Sequence, residues 1–125
     1  MILIIDSNIV FAALLRDGLT RGLLIDSPFT LYAPETMLKE INKYKEEICK
    51  RTGLDAPEFE VLFCLITESI EIVSEETYRQ KMDEATQLMG HIDKGDVPFL
   101  ALALGIPNHG IWTENLRHFE KQTKV

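Results

Sequence analysis

The stretch Ile92-Asp93-Lys94-Gly95-Asp96-Val97-Pro98-Phe99-Leu100-Ala101-Leu102-Ala103-Leu104 decides how the rest of the chain is read. Two carboxylates, three residues apart, stand directly ahead of a run that is apolar on every side. Pro98 fits the first turn of a helix, where its missing N–H leaves no bond unmade. That places Asp96 at or near the N-cap and Asp93 in the turn before it. A helix apolar all round belongs inside a domain, not on its surface. The pattern therefore carries negative charge to the mouth of the most buried helix. Capping would account for Asp96 taken alone, so the question is which other acids reach the same place.

Outward from this stretch, strand and helix patterns alternate. Residues 2–5 are a continuous, β-branched apolar run, the mark of a buried parallel strand, and it stops abruptly at Asp6-Ser7-Asn8. Ile9–Leu15 has helical length, with Ser7 or Asn8 available as its cap. Asp17-Gly18 marks a turn before a second short helix, Leu19–Ile25. Thr30–Ala33 reads as a second strand closed by Pro34. From Pro34 to about Arg51 the spacing predicts one helix, with Met37, Ile41, Tyr44 and Ile48 as its buried stripe. At 100° per residue Glu40 lies roughly 60° from the middle of that stripe, at its edge, about 9 Å into the helix. Gly53 ends it. Ala56–Thr67 is a further helix, Ile70–Val73 a third strand, and Ser74 starts a helix through Met89 with Tyr78, Met82, Ala85 and Met89 inward. Gly110–Thr113 is a last strand running into Glu114-Asn115, and Leu116–Gln122 a final turn or two. No repeat, linker or low-complexity segment interrupts this, so residues 1–125 read as one domain.

The bulk properties narrow the function. Net charge is −7, which argues against broad electrostatic binding of nucleic acid. A polyanionic substrate would have to be met by a local basic patch or by metal ions. Cys49 and Cys64 lack metal-ligand spacing and read as reduced thiols in a cytoplasmic protein. Met-Ile-Leu-Ile-Ile meets Asp6 too soon for a signal peptide, and no run approaches membrane-span length.

Alternating strands and helices imply an α/β fold of three layers, a mostly parallel sheet with helices on both faces. In such a fold the C-terminal ends of strands and the N-terminal ends of returning helices share one edge. Asp6, Glu40, Asp93, Asp96 and Glu114-Asn115 all fall there. Two carboxylates about 4 Å apart repel by roughly 4 kcal/mol at an effective dielectric of 20. A cluster of them calls for shared protons or a cation. Oxygen-only pockets select Mg²⁺ or Mn²⁺ rather than zinc. Such an ion can ionise water and neutralise charge developing on a phosphodiester.

At these residues the chain resembles the PIN-domain nucleases. Asp6-Ser7-Asn8 after an apolar strand is similar to their opening Asp-x-Asn, and Glu40-Ile41 to their second motif. Asp93-x-x-Asp96-x-Pro98-Phe99-Leu100-Ala101-Leu102-Ala103 resembles the third. Ile111-Trp112-Thr113-Glu114-Asn115, followed by Phe119, resembles the closing motif. The likeness spans the whole chain in order. It implies a Mg²⁺- or Mn²⁺-dependent endoribonuclease, with Asp6, Glu40, Asp93 and Asp96 as catalytic metal ligands and Asn8, Thr113, Glu114 and Asn115 in support. It further implies a VapC-like toxin of a type II toxin–antitoxin pair, with RNA as substrate, a small antitoxin protein as partner and a homodimer as its assembly. The closing motif usually reads Thr-x-Asp, so Asn115 is a departure, and Glu114 is the acid available to replace the missing charge.

Two other readings compete. Haloacid dehalogenase-like phosphatases also end their first strand in Asp, but need a second Asp where Asn8 stands. A degenerate PIN scaffold would bind RNA or protein without cutting. Arg16, Arg21 and Lys94 are the nearest candidates for holding phosphate. Lys39, Lys43, Lys45, Lys50 and Arg51 read as a solvated helix face paired with Glu46 and Glu47. His91, His109 and His118 are scattered, and Trp112 reads as packing. The apolar weight of residues 56–67 exceeds what one core face needs and suits a dimer or partner interface.

Overall fold

The computed structural model describes residues 1–89 and 94–113. Among these residues four parallel strands make the sheet: β1 (Ile2–Ile5), β2 (Thr30–Pro34), β3 (Ile70–Val73) and β4 (Ile111–Trp112), in the order β3-β2-β1-β4. The register sets Ile4 beside Tyr32 and Ile111, and Ala33 beside Ile72. Because side chains alternate across a pleated strand, the sheet sorts its residues into two cores. Ile5, Leu31, Ala33, Ile70 and Trp112 face one; Ile4, Tyr32, Val73 and Ile111 face the other. This is the α/β arrangement the alternating pattern predicts.

The first core is closed by α1 (Ser7–Leu15), α2 (Leu19–Ile25), α3 (Thr36–Lys43), α4 (Lys45–Thr52) and α5 (Ala56–Thr67). The second is closed by α6 (Glu75–Tyr78), α7 (Met82–Met89) and α8 (Val97–Gly105). Helix α8 is the one apolar all round, and Val97, Phe99, Leu100, Ala101 and Leu102 are all buried in it. Phe99 belongs to the first core although its helix packs mainly with the second, so one helix seals both.

Three expectations about helices are corrected. The helix foreseen from Pro34 to Arg51 is two helices. Pro34 ends β2 opposite Val73, and the chain bends at Tyr44, whose backbone (φ −103°, ψ 12°) leaves the helical region. Met37, Ile41 and Ile48 keep their inward stripe, but Tyr44 is turned outward and is 41% exposed. Gly53 does end α4, in the left-handed conformation (φ 79°) that glycine adopts without penalty. The helix foreseen through Met89 is likewise broken, by a 3-10 turn at Arg79–Lys81 between α6 and α7. Finally, α1 begins at Ser7 with Asp6 in the N-cap position, so neither Ser7 nor Asn8 caps it. The final turn foreseen at residues 116–122 lies outside the described residues.

Glu35, which the residue pattern does not single out, joins β2 to α6. Its backbone N–H donates to the Val73 carbonyl at 2.9 Å, and its Oε1 accepts from the Glu75 N–H at 3.0 Å. Beside this join Tyr78 is buried. Its hydroxyl lies next to that of Thr36. Burial first, then the negative charges of Glu35 and Glu75, push the Tyr78 phenol above its ordinary value. The folded form therefore holds this proton more tightly than the unfolded chain. That contribution is intact below the unfolded value of about 10 and is lost as pH climbs through the raised folded value. Urea midpoints are expected to fall above that pH in the wild type, and to fall less steeply in Tyr78→Phe.

Candidate active site

All four strands are parallel, so Ile5, Pro34, Val73 and Trp112 end at one edge of the sheet. Asp6 takes the next position after β1 and is held there by the ladder itself. Its N–H donates to the Trp112 carbonyl at 3.0 Å, and its own carbonyl accepts from the Ile9 N–H at 3.1 Å, which opens α1. The side chain is fully buried. An aspartate in this position ordinarily caps the helix it precedes, yet the Asp6 carboxylate makes no cap hydrogen bond to α1. Instead Oδ2 accepts from the Thr113 hydroxyl at 2.5 Å and from the Asn8 amide at 3.4 Å. Thr113 comes from the end of β4, 107 residues away in the chain.

Asp96 repeats the arrangement on the second helix. It ends a 3-10 turn (Lys94–Asp96) and precedes Val97 and Pro98 of α8, as the sequence predicts. Only 5% of its surface is exposed. Its backbone (φ −84°, ψ −14°) is helical rather than extended, and its carboxylate makes no cap hydrogen bond to α8 either. Two aspartates thus sit buried at the starts of two buried helices, and neither carboxylate is used as a cap. Buried charge is costly unless something compensates it. The positive ends of the two helix dipoles offset part of that cost, on the order of 1 kcal/mol each, and the hydrogen bonds from Thr113 and Asn8 offset more of it at Asp6.

Glu40 lies just over one turn into α3 rather than two, because the helix starts at Thr36. It is half-buried, at the margin of the inward stripe as its helical phase predicts. Asp93, Glu114, Asn115 and His91 fall outside the described residues. Among the described residues no group of three or more His, Cys, Asp or Glu side chains is placed to hold a metal ion. The donors that are described are carboxylates and a hydroxyl, a set that suits a hard cation and not zinc. Asn8 donates to Asp6; it holds the carboxylate in place where a phosphatase of the rival class would need a second acid.

Arg21 does not reach this edge. Its guanidinium donates to the carbonyls of Ala13 (2.7 Å) and Leu14 (3.3 Å), closing the C-terminal end of α1. Arg16 follows the same end. Both are a helix length of about 13 Å from the start of α1, so they are not the phosphate contacts the sequence suggests. The Lys94 side chain lies outside the described residues. His109 is also accounted for: its Nδ1 accepts from the Ile2 N–H at 3.0 Å, at the opposite edge of the sheet. Trp112 packs against the first core, as expected.

A family model described as the PIN domain matches residues 4–121. The chain belongs to the PIN-domain family. No match is found among curated proteins. PIN domains are in general nucleases that use divalent metal ions. The match takes in both buried aspartates, Glu40 and Thr113 of this PIN domain, as well as Asp93, Glu114 and Asn115. No helix among the described residues is long and apolar enough to cross a membrane.

The Thr113 hydroxyl fixes the Asp6 carboxylate from a separate strand, so its loss should loosen the site without removing a charge. Groups that orient a ligand in this way typically contribute 10- to 100-fold in metal affinity or activity. Thr113→Val is expected to lower cleavage by about that factor, and Thr113→Ser to restore most of it. Initial rates of nuclease activity on one nucleic-acid substrate check this.

Proposed function

We propose that this PIN domain is a Mg²⁺- or Mn²⁺-dependent endoribonuclease, the toxin of a type II toxin–antitoxin pair. The observation that carries the reading is the pair of buried aspartates, Asp6 and Asp96, at helix starts that neither carboxylate caps. Asp6, Glu40, Asp93 and Asp96 would hold the ion. When bound, such an ion lowers the pKa of water and offsets charge building on a phosphodiester. The chain's own part is preorganisation. Thr113 and Asn8 hold Asp6 in one orientation, and the β1–β4 ladder fixes the backbone beneath it. With a net charge of −7, the protein needs that ion, or a local basic surface, to meet a polyanion at all. A small antitoxin and a second copy of the chain are the partners in this reading. Helix α5 supports it with Val61 and Leu65, 63% and 45% exposed.

The non-cutting scaffold is the second reading, favoured by Asn115 in place of the usual acid. Incubating purified protein with total RNA, with Mg²⁺ or Mn²⁺ and then with chelator, separates the two. Internal cuts that map to defined ends and vanish with chelator support the nuclease. Intact RNA under every condition, in protein that still binds Mn²⁺, leaves the scaffold. Asn115→Asp is expected to cut as well as wild type or better, since it restores the acid usual in the closing motif that this stretch resembles.

A further inference from the structure

We propose that Tyr44, with Lys43 beside it, is a stacking platform for a base of the RNA strand as it leaves the carboxylate site along the groove between α1 and α4. The inference rests on the nuclease reading above and adds where the strand runs. The sequence places Tyr44 in a core stripe; the bend between α3 and α4 puts its ring on the surface, 41% exposed. The ring is held there. Phe11 meets it edge-on at 5.7 Å between centroids, and the Lys43 Nζ stands over one face of the ring, 5.6 Å from its centre. A fixed aromatic ring with a cation beside it matches what a single strand offers, a flat base and a phosphate.

Position ties this platform to the site. Phe11 is one helical turn beyond Ser7 on α1, and Tyr44 is four residues beyond Glu40, about 6 Å along each helix. From there a groove of about 220 Å³ continues past Leu15, Ile48 and Arg51, with Glu47 on its wall held by Arg51 at 3.0 Å. Charge agrees. Residues 39–51 hold five of the 13 Lys and Arg against three Glu, in a chain whose net charge is −7. Lys45 is paired with Glu60 and Arg51 with Glu47, while Lys39, Lys43 and Lys50 are exposed. Among the described residues, Lys39, Lys43 and Lys50 are thus exposed cations on the helices that follow β2, next to Glu40.

The test is the anisotropy of a short, end-labelled single-stranded RNA titrated with full-length protein in chelator, so that binding is read without cleavage. Tyr44→Leu is expected to bind roughly ten-fold more weakly and Tyr44→Trp at least as tightly as wild type. Lys43→Gln should flatten the dependence of log affinity on log salt by about 0.7. Equal affinity in wild type and Tyr44→Leu overturns the platform and gives this face to a protein partner. Cleavage of the same RNA with Mn²⁺, run in parallel, reports separately on the nuclease reading. It can succeed while the platform fails, or fail while Tyr44-dependent binding persists. If Tyr44→Leu does not fold, photo-crosslinking of thiouridine-substituted RNA to wild type decides. Label on the peptide holding Tyr44 supports the platform, and label confined elsewhere overturns it.

Discussion

Asp6→Asn is expected to cut RNA about a thousand-fold more slowly than wild type, the usual scale for losing one preorganised electrostatic group, while melting at or above the wild-type temperature in chelator. The two halves have one cause. Asparagine keeps the shape of aspartate and an oxygen that accepts from Thr113, so the bond between strand ends survives. What it removes is a negative charge held with no exposed surface. Carboxylates gathered at one sheet edge repel one another when no cation is shared between them, so losing one charge is expected to leave the melting temperature at or slightly above the wild-type value. Initial rates and thermal melts on the same preparations test both halves. Retained cleavage would remove Asp6 from the chemistry. A large drop in melting temperature would make its carboxylate a structural group.

Phe99→Ala is expected to cost about 3–5 kcal/mol, the range for emptying a buried aromatic site. Total stabilities of 5–15 kcal/mol make that a large share of what the fold has. Phe99 is buried, on the helix that carries Asp96, and reaches the core on the α1 side of the sheet. Its loss therefore empties the junction between two packed layers, and neither can close the space without moving α8. Urea titration should show a lower midpoint with a similar slope. A change under 1 kcal/mol would mean that the surrounding helices collapse onto the gap. Because α8 also sets Asp96, cleavage measured well below the new midpoint should fall too.

Helix α8 was legible in the sequence because a run apolar on all sides has one place to go, and its start was marked by Pro98 after Asp96. The strand end at Asp6 was legible for the same reason, an apolar run that stops at a polar residue, while β4 is shorter than the foreseen Gly110–Thr113 and leaves Thr113 just past its end. The contact between Asp6 and Thr113 was not legible, since a bond across 107 residues depends on β4 pairing with β1 in one register. The stripe Met37-Ile41-Tyr44-Ile48 misled because no glycine or proline marks the bend at Tyr44. Periodicity averages over such a break, and the one residue it misplaced is the exposed ring. Arg21 misled differently. A cation near a turn looks available for substrate, and only coordinates show it folded back onto the carbonyls of Ala13 and Leu14. Glu35 carried no signal at all, because its work is to join two segments distant in sequence.

Whether Asp6 and Asp96, buried at the starts of two helices, hold a divalent ion is the question on which the proposed activity turns. Calorimetric titration of the apoprotein with Mn²⁺ addresses it without reference to any RNA. Wild type should bind the ion, and both Asp6→Asn and Asp96→Asn should lose that binding while still showing cooperative melts. Unchanged Mn²⁺ affinity in both folded variants would contradict the account.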